Sequence, residues 1–281
     1  QFEVSFERAP RGFMNNLNKT TPGGAYMNVE NTAPRLEVPE SQGAWKIGVT
    51  NRWSDSLDWK TSKQKYWVSN QEIVAMRLAS GEQVFVTPYI RWEGLIRSPR
   101  SGGVWVLHRN GEIDDYSPEQ AARLPWLAAS GHIVSESMAR RVQGSYVWRH
   151  GLINNTAFGS KRDLVKVTEV SDINAQPYLM KMCGQGLVWA TIASPQGRAN
   201  AVAAVFLTST VTGKTWVVHA PKGTLWIDND RAAQVVKSRP YTGVQWSAGN
   251  YQAVEPRPLF VKGRLQYLVS VSYTHLRAHE T

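Results

Sequence analysis

Cysteine is almost absent: Cys183 is the only one in 281 residues. That excludes a disulfide framework or a Cys-rich metal site within the chain, and fits either the cytosol or an envelope that uses few disulfides. Long apolar runs are missing too. A membrane-crossing helix needs roughly 18 or more consecutive apolar residues, and the longest candidate, Ala201–Leu207, is strand-sized. There is no Gly-Lys-Ser/Thr phosphate loop, no Gly-x-Ser-x-Gly elbow and no dinucleotide fingerprint, which removes the commonest signatures of nucleotide and hydrolase chemistry. Acidic residues are in deficit. Asp and Glu number 22 against 32 Lys and Arg, leaving a formal charge of +10 and a pI near 9.8. Such an excess suits nucleic acid, phospholipid head groups or wall polymers, and it also serves solubility alone. Gln1 is not a start methionine, so the chain reads as an interior piece of a longer protein, with any membrane anchor expected outside it.

What the chain has in plenty is tryptophan, 12 residues of it, mostly in β-like runs. Trp105-Val106-Leu107-His108 returns as Trp216-Val217-Val218-His219, and the match stays in step through Ala121-Ala122 and Ala232-Ala233. Upstream, Gln64-Lys65-Tyr66-Trp67 is answered by Gln176-Pro177-Tyr178-Leu179, one residue out of phase. This spacing predicts one design used twice, with Trp105 equivalent to Trp216 and Ser117 to Asp228. Residues 103–130 and 214–238 are then expected to share a strand–strand–helix arrangement.

The expected organisation follows from composition along the chain. Residues 1–60, rich in Asn, Pro, Gly and Ser, read as an irregular lead-in or the remnant of an earlier unit. Residues 61–175 form a first β-rich unit with helix and linker, and 176–256 a second with its own helix. Residues 257–269 read as the start of a third. Residues 271–281 can be back-translated to a string that resembles a transposon adapter used in sequencing libraries, Ser270 is compatible with its preceding bases, and 270–281 is expected to lie outside the fold. Asn110-Gly111 and Val211-Thr212-Gly213-Lys214 mark turns. Ser117-Pro118-Glu119-Gln120 carries an N-cap, a first-turn Pro, an acidic Glu suited to the helix start and a capping-box Gln; in the second unit Asp228 takes the cap and Asp230 the acidic place, for a helix over about 229–236. His132 to Val142 reads as helical, and Tyr146–Trp148 and Leu164–Val167 as strands. The fold class is α+β: antiparallel strands followed by one helix per unit, the helix covering the apolar face.

The second unit resembles PepSY-type domains on the outer side of bacterial membranes. The resemblance rests on Ala201–Thr208, then Thr212-Gly213-Lys214, then Trp216-Val217-Val218 with a helix next. The Asp usual before that Thr-Gly-Lys turn is missing from Leu207-Thr208-Ser209-Thr210, and in the first unit Pro99–Gly103 replaces the turn. More loosely, the chain resembles the Trp- and Tyr-rich extracytoplasmic regions of membrane proteins of Gram-positive bacteria and their phages. The resemblance implies a non-enzymatic envelope module, with no catalytic residues to carry over.

Candidate chemistry is sparse. His108 and His219 recur with the repeat, which points to a fold role at a strand end. His132 and Glu136 would share a helical face, but two groups without a third ligand make no metal site. Asp114-Asp115 and Asp228-Asn229-Asp230 could act as acid–base carboxylates, and their nearness to helix starts explains them as caps and dipole partners. Cys183 sits among apolar residues as an inert thiol. The residues singled out for contact with an anion or polymer are Arg91, Trp92, Arg97 and Arg100, and Arg140, Arg141, Trp148 and Arg149. There, cations interleave with aromatics as in surfaces that stack on bases or sugars. No cofactor and no metal are expected. The leading expectation is a non-catalytic interaction module on the extracytoplasmic side of the membrane, with a protein or an anionic envelope polymer as partner. The alternatives are a single-stranded nucleic-acid-binding protein, or a hydrolase using carboxylates from both units. Any nucleic-acid binding is expected to be weak and non-specific.

Overall fold

Gln83–Ile90 is buried at every position, and so is Val188–Ser194. A strand buried on both faces is the middle of a covered sheet, whereas a half-exposed strand alternates. The computed structural model describes residues 2–6, 23–27, 36–37, 56–95, 97–155, 164–167, 176–182, 184–196, 201–241, 244, 246 and 251–273. The chain divides into two compact units, one of residues 1–138 with 210–212, the other of 139–209 with 213–281. The described residues 139–155 and 164–167, expected within a linker of the first unit, cluster with the second.

In the first unit, β1 (Phe2–Phe6), β2 (Gly23–Met27) and β3 (Leu36–Glu37) form a small antiparallel sheet. Helix α1 (Leu57–Gln64) leads into the main sheet, capped by Ser56, whose side chain accepts from the Trp59 amide. That sheet holds β4 (Val68–Asn70), β5 (Val74–Arg77), β6 (Gln83–Glu93), β7 (Ser98–Leu107) and β8 (Ile113–Tyr116), all antiparallel. The order is β4-β6-β7-β8, and β5 shares the β6 edge with β4. One face packs Phe85, Tyr89, Trp105 and Leu107 with Leu57 of α1. The other packs Val84, Val86, Val104 and Val106 against α2 (Pro118–Arg123) and α3 (Pro125–Ala128). Helices therefore cover both faces, where the sequence predicted one covered face.

The second unit repeats this topology. It starts within α4 (Glu136–Gly144), whose buried Gln143 donates from Nε2 to the Thr208 hydroxyl at 3.0 Å. The sheet holds β9 (Val165–Val167), β10 (Tyr178–Met182), β11 (Gly186–Pro195), β12 (Ala204–Ser209) and β13 (Thr215–Val218). The order is β10-β11-β12-β13, with β9 sharing the β11 edge. Helix α5 (Asn229–Lys237) follows, as α2 follows β8. Cross-strand register fixes the correspondence. Phe85 pairs with Leu107 and Val104 with Tyr116, as Trp189 pairs with Thr208 and Val205 with Val218. Val84, Val86, Val104 and Val106 thus answer Val188, Ala190, Val205 and Leu207, which form one core face of the second sheet.

This register corrects the one expected from the tetrapeptide match. Trp105 lies on the central strand β7 and is fully buried, while Trp216 lies on the edge strand β13 and is partly buried. The structural counterpart of Trp105 is Phe206. The stretch aligned with β8, Thr224–Ile227, forms no strand. His108 and His219 are likewise not equivalent. The helix caps do correspond, across a longer loop in the second unit.

Two further expectations change. Ser145–Trp148 is a 3-10 turn continuing α4 rather than a strand. Gly144 stays in the right-handed region, and Tyr146 turns edge-on to Phe206 at 5.0 Å. The segment read as the start of a third unit is instead part of a hairpin, β14 (Tyr251–Val261) with β15 (Arg264–Tyr273). Phe260, Leu265 and Tyr267 from it cover the second unit's core. Residues 270–273, expected outside the fold, extend that hairpin by pairing with 254–251. Ser270, Val271 and Ser272 are exposed, so they lengthen the ladder without adding core. Residues 274–281 and Cys183 lie outside the described residues.

Candidate functional site

The sequence-predicted Arg/Trp residues fall into two surfaces, one in each unit. In the first unit, β6 and β7 run beyond the covered sheet as an arm whose turn includes Gly94, Leu95 and Arg97. Arg91 and Arg100 are direct cross-strand partners, so both lie on one face of the arm. Trp92 faces Pro99, and its amide donates to the Trp67 carbonyl at 2.9 Å. The Arg97 guanidinium lies 4.0 Å from the centre of the Trp67 ring. Glu93 pairs with Arg91 at 3.5 Å. Trp67, not singled out from the sequence, is therefore part of this surface.

The arm is rooted in a polar cluster. Lys65 donates to the Tyr89 hydroxyl at 2.6 Å, and that hydroxyl donates to Asp115 at 2.9 Å. Lys65 is also ion-paired with Asp115. Burial alone would lower the Lys65 pKa, but the bonds to Asp115 and Tyr89 outweigh it and raise it. Burial raises the Tyr89 pKa, and the hydrogen bond to Asp115 adds to it. Tyr89 stacks on Trp105 with ring centres 4.7 Å apart. Gly102 and Gly103 make room for this: a Cβ on either would collide with the Tyr89 side chain, and Gly103 has φ of 138°.

In the second unit, Trp148 and Arg149 line a depression of about 410 Å³ together with Tyr146, Phe206, Thr215 and Val217. The Arg149 guanidinium lies 4.2 Å from the centre of the Tyr146 ring and donates to its hydroxyl. Arg140 and Arg141 sit exposed on α4 and do not line the depression. Tyr146 and Phe206 were legible only as strand-like aromatics, and no spacing signal ties them to Arg149.

A cleft of about 590 Å³ in the first unit lies between α1 and β4, lined by Asp58, Trp59, Thr61, Asn70 and neighbouring serines. Asn70 donates to Asp58 at 2.7 Å and to Thr61 at 2.8 Å.

The histidines and carboxylates have structural partners. His108 is clamped by Glu82 at 2.8 Å and Asp114 at 3.1 Å. His219 Nδ1 lies 3.0 Å from the Ala203 carbonyl. His132 precedes α4 rather than joining it, and its Nδ1 meets the Ser130 carbonyl at 2.6 Å. Asp114 and Asp115 are not caps. They lie on β8 and bind His108 with Tyr116, and Lys65 with Tyr89, respectively. Asp228 does cap α5, accepting from the Arg231 amide at 2.9 Å. Among the described residues, no group of three or more His, Cys, Asp or Glu could hold a metal ion.

No family model matches this chain, and no curated protein or solved structure is detectably similar to it.

Proposed function

We propose that the chain is a two-unit, non-catalytic interaction module that holds an anionic envelope polymer on the outer side of a bacterial or phage-encoded membrane protein. One observation carries this reading. Each unit displays an exposed arginine over an aromatic ring, Arg97 over the exposed Trp67 and Arg149 over the half-buried Tyr146. A guanidinium over a ring offers charge to a phosphate or carboxylate beside a face that stacks on a sugar or base. The engagement of Asp114, Asp115 and Asp228 in structural bonds supports a non-catalytic role. The PepSY-type resemblance supports the location.

The second reading is single-stranded nucleic acid, favoured by Trp148 beside the stacked Tyr146–Arg149 pair. Column and solution binding separate the two. Heparin, a soluble polyanion, should retain the protein at low salt and release it by physiological ionic strength, where the Debye length is about 8 Å. Labelled single-stranded DNA is then titrated at that ionic strength. Sub-micromolar affinity, weakened by changing Trp148 and Arg149, replaces the envelope reading with the nucleic-acid one. Absence of heparin retention even at low salt removes both.

A further inference from the structure

The arm of β6 and β7 carries an apolar tip that a soluble polyanion has no use for. Leu95 is 101% exposed, Tyr66 80% and Trp67 61%. Single exposed apolar residues are ordinary, but Leu95 is on the arm itself, and Trp67, just before β4, is joined to it through the Trp92 amide and the Arg97 guanidinium. Leu95 is in the turn at the tip. Next come the Trp67 ring and the Arg97 guanidinium stacked on it at 4.0 Å. Arg91 and Arg100, paired across the strands, form a rung closer to the body. Three cations stand against one acid, Glu93, which pairs with Arg91. From tip to root, the arm passes from aliphatic to amphipathic aromatic to cationic. A bilayer entered from water presents the same sequence in reverse: phosphates first, then the interfacial layer favoured by Trp and Tyr, then the acyl chains.

The backbone holds this arrangement in place. Trp67 and Arg97 both have positive φ, 59° and 50°, a region that non-glycine residues seldom occupy. The Trp67 carbonyl is fixed by the Trp92 amide at 2.9 Å, and the Arg97 amide donates to the Gly94 carbonyl at 3.1 Å. Such conformations persist where neighbouring contacts over-determine them, and they cluster at binding sites.

We infer that this arm docks on an anionic lipid surface, with Leu95 and Trp67 entering the interfacial layer and Arg91, Arg97 and Arg100 meeting lipid phosphates. The inference deepens the proposal above for the first unit and shares its premise of an anionic partner. Its apolar part is not screened by salt, so vesicle binding outlasts heparin retention as ionic strength rises.

The full chain is tested by co-sedimentation with vesicles of phosphatidylglycerol and phosphatidylcholine, with pure phosphatidylcholine as control and heparin chromatography in parallel. The expected result is binding to the anionic vesicles at physiological salt, with a blue shift in tryptophan emission. Leu95→Ser alters a side chain that packs on nothing, so it leaves the fold intact. It should weaken partitioning about tenfold while low-salt heparin retention survives; Arg97→Gln or Arg100→Gln should weaken vesicle binding about fivefold each and lower heparin retention with it. Wild-type protein that binds heparin but not anionic vesicles overturns the lipid inference and leaves the broader reading standing. Vesicle binding that Leu95→Ser and Arg97→Gln leave unchanged also overturns it. Failure on both heparin and vesicles overturns both.

Discussion

His108 sits between two carboxylates, Glu82 and Asp114, each within hydrogen-bond reach of a different ring nitrogen. Burial by itself would lower its pKa; the two carboxylates outweigh that and raise it above 6.5. The clamp therefore contributes stability fully below the unfolded pKa of about 6.5, and loses it as pH rises through the higher folded value. Thermal melts from pH 5.5 to 8.5 should show the wild type losing its advantage over His108→Gln across that window. A difference between the two that stays constant with pH would sink the idea. In the second unit the comparable polar device is neutral. The buried Thr191 hydroxyl donates to Gln143 Oε1 at 2.5 Å, while Gln143 Nε2 serves the Thr208 hydroxyl and the Trp189 carbonyl. Thr191→Val keeps the shape and leaves the amide oxygen short of a donor. It should cost about 1–3 kcal/mol in urea unfolding; a cost near zero would mean the amide finds another partner.

Helix starts were the most legible elements. Ser117 accepts from the Gln120 amide at 3.2 Å while Gln120 accepts from the Ser117 amide at 2.8 Å, completing the capping box read from the sequence. Capping is a local device whose residue types announce it. The two caps differ in weight. Ser117→Ala should cost about 1 kcal/mol. Asp228→Ala should cost more, because Asp228 is buried and also accepts from the Ser194 hydroxyl at 3.4 Å. Equal losses for the two in denaturant melts would place Asp228 among ordinary surface caps. The repeat was legible in kind and wrong in register. Trp105-Val106-Leu107-His108 and Trp216-Val217-Val218-His219 match as letters, but one is a central strand and the other an edge. Pattern alone does not say which neighbour a strand has. Pairing partners fix that, and the structural counterparts Trp105 and Phe206, or Leu107 and Thr208, share no identity. The surface at Arg97 was half legible. The arginines and Trp92 stood out as a cluster, whereas Trp67 reaches them only because β4 pairs with the far half of β6.

At the scale of the molecule, the C-terminal hairpin tests what is fold and what is appendage. Phe260, Leu265 and Tyr267 cover a core, while Ser270–Ser272 add backbone pairs with exposed side chains. Ending the chain after residue 269 should shift the melting temperature by no more than a few degrees. Ending it after residue 263 should lower it several-fold further, since roughly 1 kcal/mol corresponds to 2–4 °C in a protein of this size. Equal effects of the two truncations would contradict the assignment of core to the inner part of the hairpin. Two sheets of one topology in a single chain also raise a hazard during folding, because a strand of one can enter the place of its counterpart in the other. On one face of each sheet, several equivalent positions are unlike in size. Tyr89 and Leu107 in the first sheet answer Ala193 and Thr208 in the second, and Trp105 answers Phe206. Trp105 requires the broad Tyr89 ring to stack on, and Ala193 offers none. Conversely, Phe206 in the place of Trp105 would leave a void beside Tyr89. The Tyr89–Trp105 pair thus works against strand exchange within the nascent chain by shape, before any charge or loop length comes into play.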